Sequence, residues 1–80
     1  MKKMSLYHTP MCPFCLKVRD VITELGLTDS IELRDKIENP AFGEELQAAT
    51  GKTMVPCLRI DDEWMHESDA IIAYLRGLSA

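Results

Sequence analysis

The stretch "TPMCPFCLKV", Thr9 to Val18, decides the fold and raises the functional question. Cys12 and Cys15 lie three residues apart, with Pro13 and Phe14 between them. A helical pattern follows, because apolar residues recur at intervals of three and four. Its members are Cys15, Val18, Val21, Ile22 and Leu25. Cysteines at this spacing can form a structural disulfide, half of a metal site or a redox pair.

The position of Cys12 favours a reactive sulfur. Pro13 suits the first position of a helix, so Cys12 is predicted to be the N-cap. Its sulfur then faces free backbone N–H groups and the positive end of the helix dipole, and both favour a thiolate. Cys15 lies one turn further and begins the buried face, so we expect it to be less exposed and less acidic. This asymmetry predicts that Cys12 attacks a disulfide and Cys15 resolves the mixed disulfide.

The remaining chain alternates between strand and helix patterns. Predicted strands cover Ser5–His8, Ile31–Arg34, Val55–Ile60 and Trp64–His66. Predicted helices begin at Pro13, Pro40 and Ser68, with Gly26 and Gly51 as stops for the first two and Ser68 as a cap for the last. The order β-α-β-α-β-β-α predicts an α/β domain. A parallel βαβ unit and a hairpin give a four-stranded mixed sheet with helices on both faces.

Length and composition limit the possible classes of protein. Eighty residues, of which 46% are hydrophobic, predict one globular domain over residues 1–80. The net charge of -4 and the lack of a basic stripe argue against nucleic-acid binding. No apolar run approaches the ~18 residues of a membrane span, and no signal peptide is evident, so a cytoplasmic location is expected. Three cysteines, an odd number, are atypical of a secreted disulfide scaffold.

Other roles for the cysteine pair remain open at this point. A permanent disulfide would close a very short loop and would add little stability. A zinc site needs about four ligands, and only Cys57, His8 and His66 are candidates beyond the pair. Two inert core cysteines are the third alternative. Cys57 is predicted to be buried, and both histidines are interpreted as ordinary polar positions.

Three segments in order carry a family resemblance. They are C-P-F-C after the first strand, "GKTMVPCLRI" at residues 51–60 and "ESDAIIAYL" at residues 67–75. Together they resemble a dithiol glutaredoxin of the thioredoxin superfamily, and the last is similar to the N-terminal domain of glutathione transferases. The resemblance implies a thioredoxin-like fold with three helices, a single glutaredoxin domain and glutathione as co-substrate, with no metal.

The resemblance also implies a reaction and its catalytic residues. The chain would be an enzyme, a glutathione-dependent oxidoreductase that reduces protein disulfides and protein–glutathione mixed disulfides. Cys12 matches the nucleophile and Cys15 the resolving cysteine, so the two would form a redox-active disulfide. The implied partners are glutathione and disulfide-bearing or glutathionylated proteins, and the expected state is a monomer.

A glutathione groove is implied by residues outside the cysteine pair. Phe14 matches an aromatic that borders the groove, and the backbone of Val55 matches the group that pairs with the cysteinyl part of glutathione. Pro56 matches a cis-proline. The implied glutathione-binding residues are Phe14, Met54, Val55, Pro56, Glu67, Ser68 and Asp69. The last three cover the helix start that would receive the γ-glutamyl end.

The chain departs from the glutaredoxin pattern just before the cysteine pair. No lysine lies among residues 7–11, so the glycine carboxylate of glutathione would need Lys17, Arg19 or Lys52 instead. Two other functions are alternatives. One is an iron–sulfur cluster carrier with glutathione as co-ligand, which Pro13 disfavours. The other is a glutathione-binding domain without catalytic activity.

Overall fold

The computed structural model describes residues 3–79, and its seven elements follow the predicted order. The strands are β1 (Met4–His8), β2 (Ile31–Asp35), β3 (Cys57–Ile60) and β4 (Glu63–His66). The helices are α1 (Pro13–Glu24), α2 (Pro40–Thr50) and α3 (Ser68–Ser79). The α/β prediction, a thioredoxin-like four-stranded mixed sheet with three helices, is therefore confirmed.

The sheet has the strand order β2-β1-β3-β4. Strand β2 runs parallel to β1, because α1 carries the chain back across the sheet between them. Strand β3 runs antiparallel to both β1 and β4, and a two-residue turn at Asp61 and Asp62 joins the hairpin. Strand β1 is central and all five of its residues are buried. The carboxyl ends of β1 and β2 meet at one edge of the sheet, where α1 begins.

The two faces of the sheet are packed by different helices. Leu6 and Leu58 lie in the larger core cluster, which includes Val18 of α1 and Ile71 and Leu75 of α3. On the opposite face, alternate strand residues pack against α2. That smaller cluster contains Tyr7, Leu46 and Cys57. Burial of Cys57 confirms its predicted packing role.

Local sequence signals account for the helix ends. Cys12 is the N-cap of α1 with Pro13 as the first helical residue, as predicted. Asn39 caps α2, because its side-chain oxygen accepts a hydrogen bond from the Ala41 N–H at 3.1 Å. Gly51 ends α2 in the left-handed conformation with a φ of 76°.

Several predicted boundaries differ from the structure. Strand β3 begins at Cys57 rather than Val55, because Val55 and Pro56 form a bend. Ser68 is the first residue of α3 instead of its cap, and the carbonyl of Glu67 accepts the first helical bond from the Ile71 N–H at 3.1 Å. Two apolar helix residues, Ala49 and Leu78, are exposed because both lie near helix ends.

A pair of glycine substitutions tests the role of the left-handed turn after α2. Gly51→Ala is expected to lower the free energy of unfolding by about 1 kcal/mol, because an alanine at a φ of 76° is strained. Gly77 is the control, since it lies within α3 and a methyl group added to it would meet no other atom within 4 Å. Gly77→Ala should raise that free energy by up to about 1 kcal/mol. Urea unfolding measures both free energies. If Gly77→Ala also lowered the free energy of unfolding, the loss in Gly51→Ala could not be assigned to its left-handed φ.

Candidate active site

The Cys12 sulfur lies at the amino end of α1, partly exposed beside the carboxyl end of β1. The N–H of Cys15 donates a hydrogen bond to this sulfur at 3.4 Å. The arrangement follows from the local sequence. Thr9 to Met11 turn the chain out of β1, and Pro13 starts the helix without needing a backbone donor.

The surroundings of Cys12 favour its ionised form. Partial burial opposes ionisation, but it is outweighed by hydrogen bonds from the N–H and side chain of Cys15, by the N–H of Phe14 and by the charge of Lys36. Together these hold the pKa of the Cys12 thiol below its ordinary value. Cys12 is therefore the thiol suited to nucleophilic attack.

Cys15 lies in the opposite environment. Its side chain is fully buried on the inner face of α1. Burial, reinforced by the neighbouring Cys12, raises the pKa of the Cys15 thiol to about 11. The two sulfurs thus differ in exposure and acidity in the direction that their sequence positions predict, and all three cysteines of the chain are free thiols.

Lys36 is a site residue that the sequence reasoning missed. It follows β2 directly, and its N–H donates to the His8 carbonyl at 3.1 Å. Its ammonium group donates to the Thr53 carbonyl at 2.8 Å. The signal was present, because the carboxyl ends of parallel strands meet at one edge of a sheet. Lys17, one of the candidates for the glycine carboxylate of glutathione, pairs with Asp69 at 3.0 Å.

Lys36→Gln is expected to slow the alkylation of Cys12 at pH 7 by about two- to threefold, because one partly exposed cation contributes less than about 1 kcal/mol. The pKa of Cys12 would rise, so the loss should shrink as the pH increases. Iodoacetamide labelling followed by mass spectrometry measures the rate across pH. Lys52→Gln removes an exposed cation of the same region and is the control. Equal slowing in both variants would contradict a specific role for Lys36.

The structure brings all seven sequence-predicted glutathione residues around one cavity of about 260 Å³. They are Phe14, Met54, Val55, Pro56, Glu67, Ser68 and Asp69. The Val55–Pro56 peptide bond is cis, as the resemblance implies. The side chains of Phe14 and Met54 are 61% and 52% exposed, so they form an open apolar rim. Phe14 lines this groove and follows Cys12 by two residues, so the groove lies close to Cys12 in the chain.

Polar groups gather at the far end of this groove, where α3 begins. Glu67 has a φ of 77°, a left-handed conformation that costs a non-glycine residue about 1–2 kcal/mol. It lies immediately before Ser68, whose position at the start of α3 exposes free backbone N–H groups to the groove. Strain of this kind concentrates at ligand-binding positions. Glu67 and Asp69 add two carboxylates beside the helix end.

The other candidate residues, Cys57, His8 and His66, do not line this groove. Burial raises the pKa of Cys57 to about 11, so this thiol is protonated near neutrality. His8 is only 5% exposed and its Nδ1 atom has no hydrogen-bond partner, which corrects its interpretation as an ordinary polar position. The Nε2 atom of His66 is also buried without a partner. Within residues 3–79, no three metal-ligating side chains are grouped around a common point.

The helices of this domain are short. Across the part of the chain that the structure describes, none has both the length and the apolar character that crossing a bilayer requires.

Comparison with known proteins gives one family match and several relatives. The family described as "Glutathione S-transferase, N-terminal domain" matches residues 6–80. A curated protein named "Glutaredoxin" from Solanum lycopersicum is 32% identical over 78 residues, covering 91% of this chain and 68% of that protein.

Solved structures share the fold. Oxidized glutaredoxin 2 from Chlamydomonas reinhardtii matches with a TM-score of 0.71 and 18% identity, over 98% of this chain and 75% of that one. At that identity the likeness shows the fold alone. A glutathione transferase homolog from sulfitobacter with bound glutathione matches with a TM-score of 0.78 and 26% identity. The match covers 99% of this chain, which spans 38% of the length of that homolog.

Proposed function

Because the chain belongs to the glutathione S-transferase N-terminal domain family and to the glutaredoxins of the thioredoxin superfamily, we propose that it is a glutathione-dependent thiol–disulfide oxidoreductase. Its substrates would be protein disulfides and protein–glutathione mixed disulfides. One observation carries the proposal. The activated sulfur of Cys12 lies two residues from Phe14, which borders a groove lined by all seven implied glutathione residues.

The monothiol route uses Cys12 alone. The Cys12 thiolate attacks the glutathione sulfur of a protein–glutathione mixed disulfide, and the protein thiolate leaves and takes a proton from water. Cys12 then carries glutathione as a mixed disulfide. A second glutathione, as its thiolate, attacks the glutathione sulfur, which releases glutathione disulfide and regenerates the Cys12 thiolate. The net reaction converts one protein–glutathione mixed disulfide and one free glutathione into one protein thiol and one glutathione disulfide, because the substrate itself supplies the other glutathione.

The dithiol route uses Cys15 as well. Cys12 attacks a protein disulfide and forms a mixed disulfide with one of its sulfurs. Cys15 then loses its proton and attacks Cys12, which releases the second substrate thiolate and leaves a Cys12–Cys15 disulfide. Two glutathione molecules reduce that disulfide in turn. This order of attack is supported by the burial of Cys15 and by its position one helical turn after Cys12, where its N–H donates to the Cys12 sulfur.

Each part of glutathione has a chemically suitable partner in the groove. The backbone of Val55 makes no hydrogen bond within residues 3–79, so it is free to pair with the cysteinyl part of the ligand. The N–H groups at Ser68 suit the γ-glutamyl carboxylate, and the carboxylate of Glu67 suits its ammonium. Lys36, which also favours the Cys12 thiolate, is the cation we assign to the glycine carboxylate in place of Lys17 and Lys52.

The test is a coupled assay in which NADPH and glutathione reductase regenerate glutathione while the protein reduces a cysteine–glutathione mixed disulfide. Saturable turnover that requires glutathione is the expected result. Glutathione binding by calorimetry without turnover would support a glutathione-binding domain instead. Turnover driven by thioredoxin reductase with no glutathione present would contradict the proposal.

A further inference from the structure

A second cavity, of about 460 Å³, shares no lining residue with the glutathione groove. It is lined by His8, Pro10, Arg19 and Asp35, among others. His8 and Pro10 flank Thr9, whose backbone lowers the pKa of the Cys15 thiol and so opposes the larger effect of burial. Arg19 is the only Lys or Arg residue among those that line the cavity.

Arg19 is placed to act on Cys15. It follows Cys15 by four residues in α1, so the two side chains lie on the same face about 5–6 Å apart at their Cβ atoms. The positive charge of Arg19 lowers the pKa of Cys15 and opposes the larger effect of burial. Its charge also lowers the pKa of His8, which lies across the cavity. Cys12, by contrast, is influenced by Lys36.

The charge of Arg19 is not neutralised by an ion pair within the described part of the chain. Among the groups that face it, burial holds the pKa of His8 below its usual range, so the imidazole is neutral at pH 7. The carboxylate of Asp35 already accepts hydrogen bonds from the N–H groups of Ile37 and Glu38, at 2.8 and 3.2 Å. Glu38 itself is exposed to solvent. Because no carboxylate of the described residues forms an ion pair with Arg19, its charge can act on the buried sulfur, although the negative charge of Asp35 in the same cavity partly offsets it.

We propose that Arg19 is a positioning residue for the dithiol route, whose guanidinium stabilises the thiolate of Cys15 as it attacks Cys12. The inference rests on the proposed function and extends it, because it assigns a separate cation to each sulfur. Lys36 supports the first attack, by Cys12, and Arg19 supports the second, by Cys15.

The chemical step balances without a further reactant. The Cys15 thiol gives its proton to water, and its thiolate attacks the Cys12 sulfur of the mixed disulfide. The Cys12–Cys15 bond forms, the bond from Cys12 to the substrate sulfur breaks, and the departing thiolate takes a proton from solvent. The two cysteines are oxidised and the substrate disulfide is reduced. Arg19 exchanges no proton, since guanidinium remains charged throughout.

The experiment follows the second step directly. Fully reduced protein is mixed with glutathione disulfide, quenched in acid and alkylated, and mass spectrometry follows the decay of the Cys12–glutathione species into the internal disulfide. Loss of one nearby charge lowers the thiolate fraction of Cys15 about tenfold. The greater nucleophilicity of a more basic thiolate recovers about threefold. Arg19→Gln should therefore slow the decay by about threefold at pH 7.

Two further variants test whether the decay rate follows the charge at position 19. Arg19→Lys keeps the charge and should stay within about twofold of wild type, whereas Arg19→Glu reverses it and should slow the decay by about tenfold. The differences in decay rate between these variants and wild type should become smaller as the pH approaches the Cys15 pKa of about 11. A purely structural role for Arg19 would not produce this pH dependence. Arg76→Gln removes a remote, exposed ion pair with Glu24 and controls for loss of surface charge. Thermal unfolding checks that each variant is folded.

Two results would overturn the inference. One is a decay rate that is the same in wild type, Arg19→Gln and Arg19→Glu. The other is an equal slowing of glutathione exchange at Cys12 when Arg19→Gln is placed in a Cys15→Ser background, since Arg19 would then act on the first sulfur. A small aromatic disulfide run in parallel needs no glutathione recognition. Its reduction uses the same attack of Cys15 on Cys12 even if glutathione is not the natural co-substrate. A failure of the proposed function can therefore be distinguished from a failure of the proposed role of Arg19.

Discussion

Cys12→Ser is expected to abolish reduction of both mixed disulfides and protein disulfides, with a loss of at least about a thousandfold in kcat/KM. Cys12 is the thiol whose pKa is lowered and which is partly exposed, whereas burial raises the pKa values of Cys15 and Cys57. A serine hydroxyl in the same place is not ionised near neutrality. The glutathione-coupled assay, run on both substrate types, measures the loss.

The matching substitution separates the two routes. Cys15→Ser should retain the reduction of glutathione mixed disulfides while losing most of the reduction of protein disulfides, because only the latter needs an internal disulfide. Cys57→Ala is the control, since its thiol packs between Tyr7 and Leu46 and takes no part in either route. Loss of both activities in Cys15→Ser, with the protein still folded, would show that the division of labour is wrong.

Ser68→Asp is expected to raise the KM for glutathione by about a hundredfold with a smaller change in kcat. The new carboxylate would lie at the amino end of α3, where we propose that the γ-glutamyl carboxylate binds. Two like charges in contact cost several kcal/mol before solvent screening, and a hundredfold corresponds to about 2.7 kcal/mol. The helix itself should tolerate the change, because acidic residues are favourable in a first turn.

Asn39→Asp is a matched control for this substitution. It also places a carboxylate at the start of a helix, but Asn39 caps α2 and does not line the glutathione groove. Its KM for glutathione should stay within about twofold of wild type. A comparable rise in KM for both variants would point to net charge instead of the groove, and an unchanged KM in Ser68→Asp would place the γ-glutamyl end elsewhere.

Local sequence signals were sufficient for most of the fold and for the cysteine pair. Pro13 after Cys12 determines the N-cap, and the apolar spacing of α1 determines that Cys15 is buried. These features depend on neighbours within one helical turn, so a single sequence carries them. The parallel pair of strands and the antiparallel hairpin followed from the βαβ and hairpin patterns, which involve neighbouring elements only.

The features that the sequence did not reveal depend on contacts between distant segments. Lys36 donates a hydrogen bond to the Thr53 carbonyl, and Lys17 forms an ion pair with Asp69. Each contact joins segments that are far apart in the sequence. The distance in sequence from Cys12 to Lys17 could not show that Lys36, and not Lys17, is the lysine whose charge acts on Cys12.

The polar cluster on the α2 face is a second example. Arg34, which alternates with apolar residues like an outward-facing residue, contacts Glu32 and Glu45 and donates to the Tyr7 hydroxyl at 2.7 Å. Its side chain is only 14% exposed. Alternation identifies which face a strand residue occupies, but it does not show that α2 leaves room there for a largely buried guanidinium group.

The N-cap position of Cys12 links redox state to folding in one thermodynamic cycle. The reduced protein keeps a negative sulfur at the positive end of α1, and a Cys12–Cys15 disulfide removes that charge. Whatever favours the thiolate therefore favours the dithiol over the disulfide by the same free energy, and makes the disulfide more oxidising. The advantage is complete above the unfolded-state pKa of the thiol and is lost as the pH falls through its lowered folded-state value. Lowering the pH therefore reduces the extra free energy of unfolding that the Cys12 thiolate gives to the reduced protein and that the disulfide form lacks.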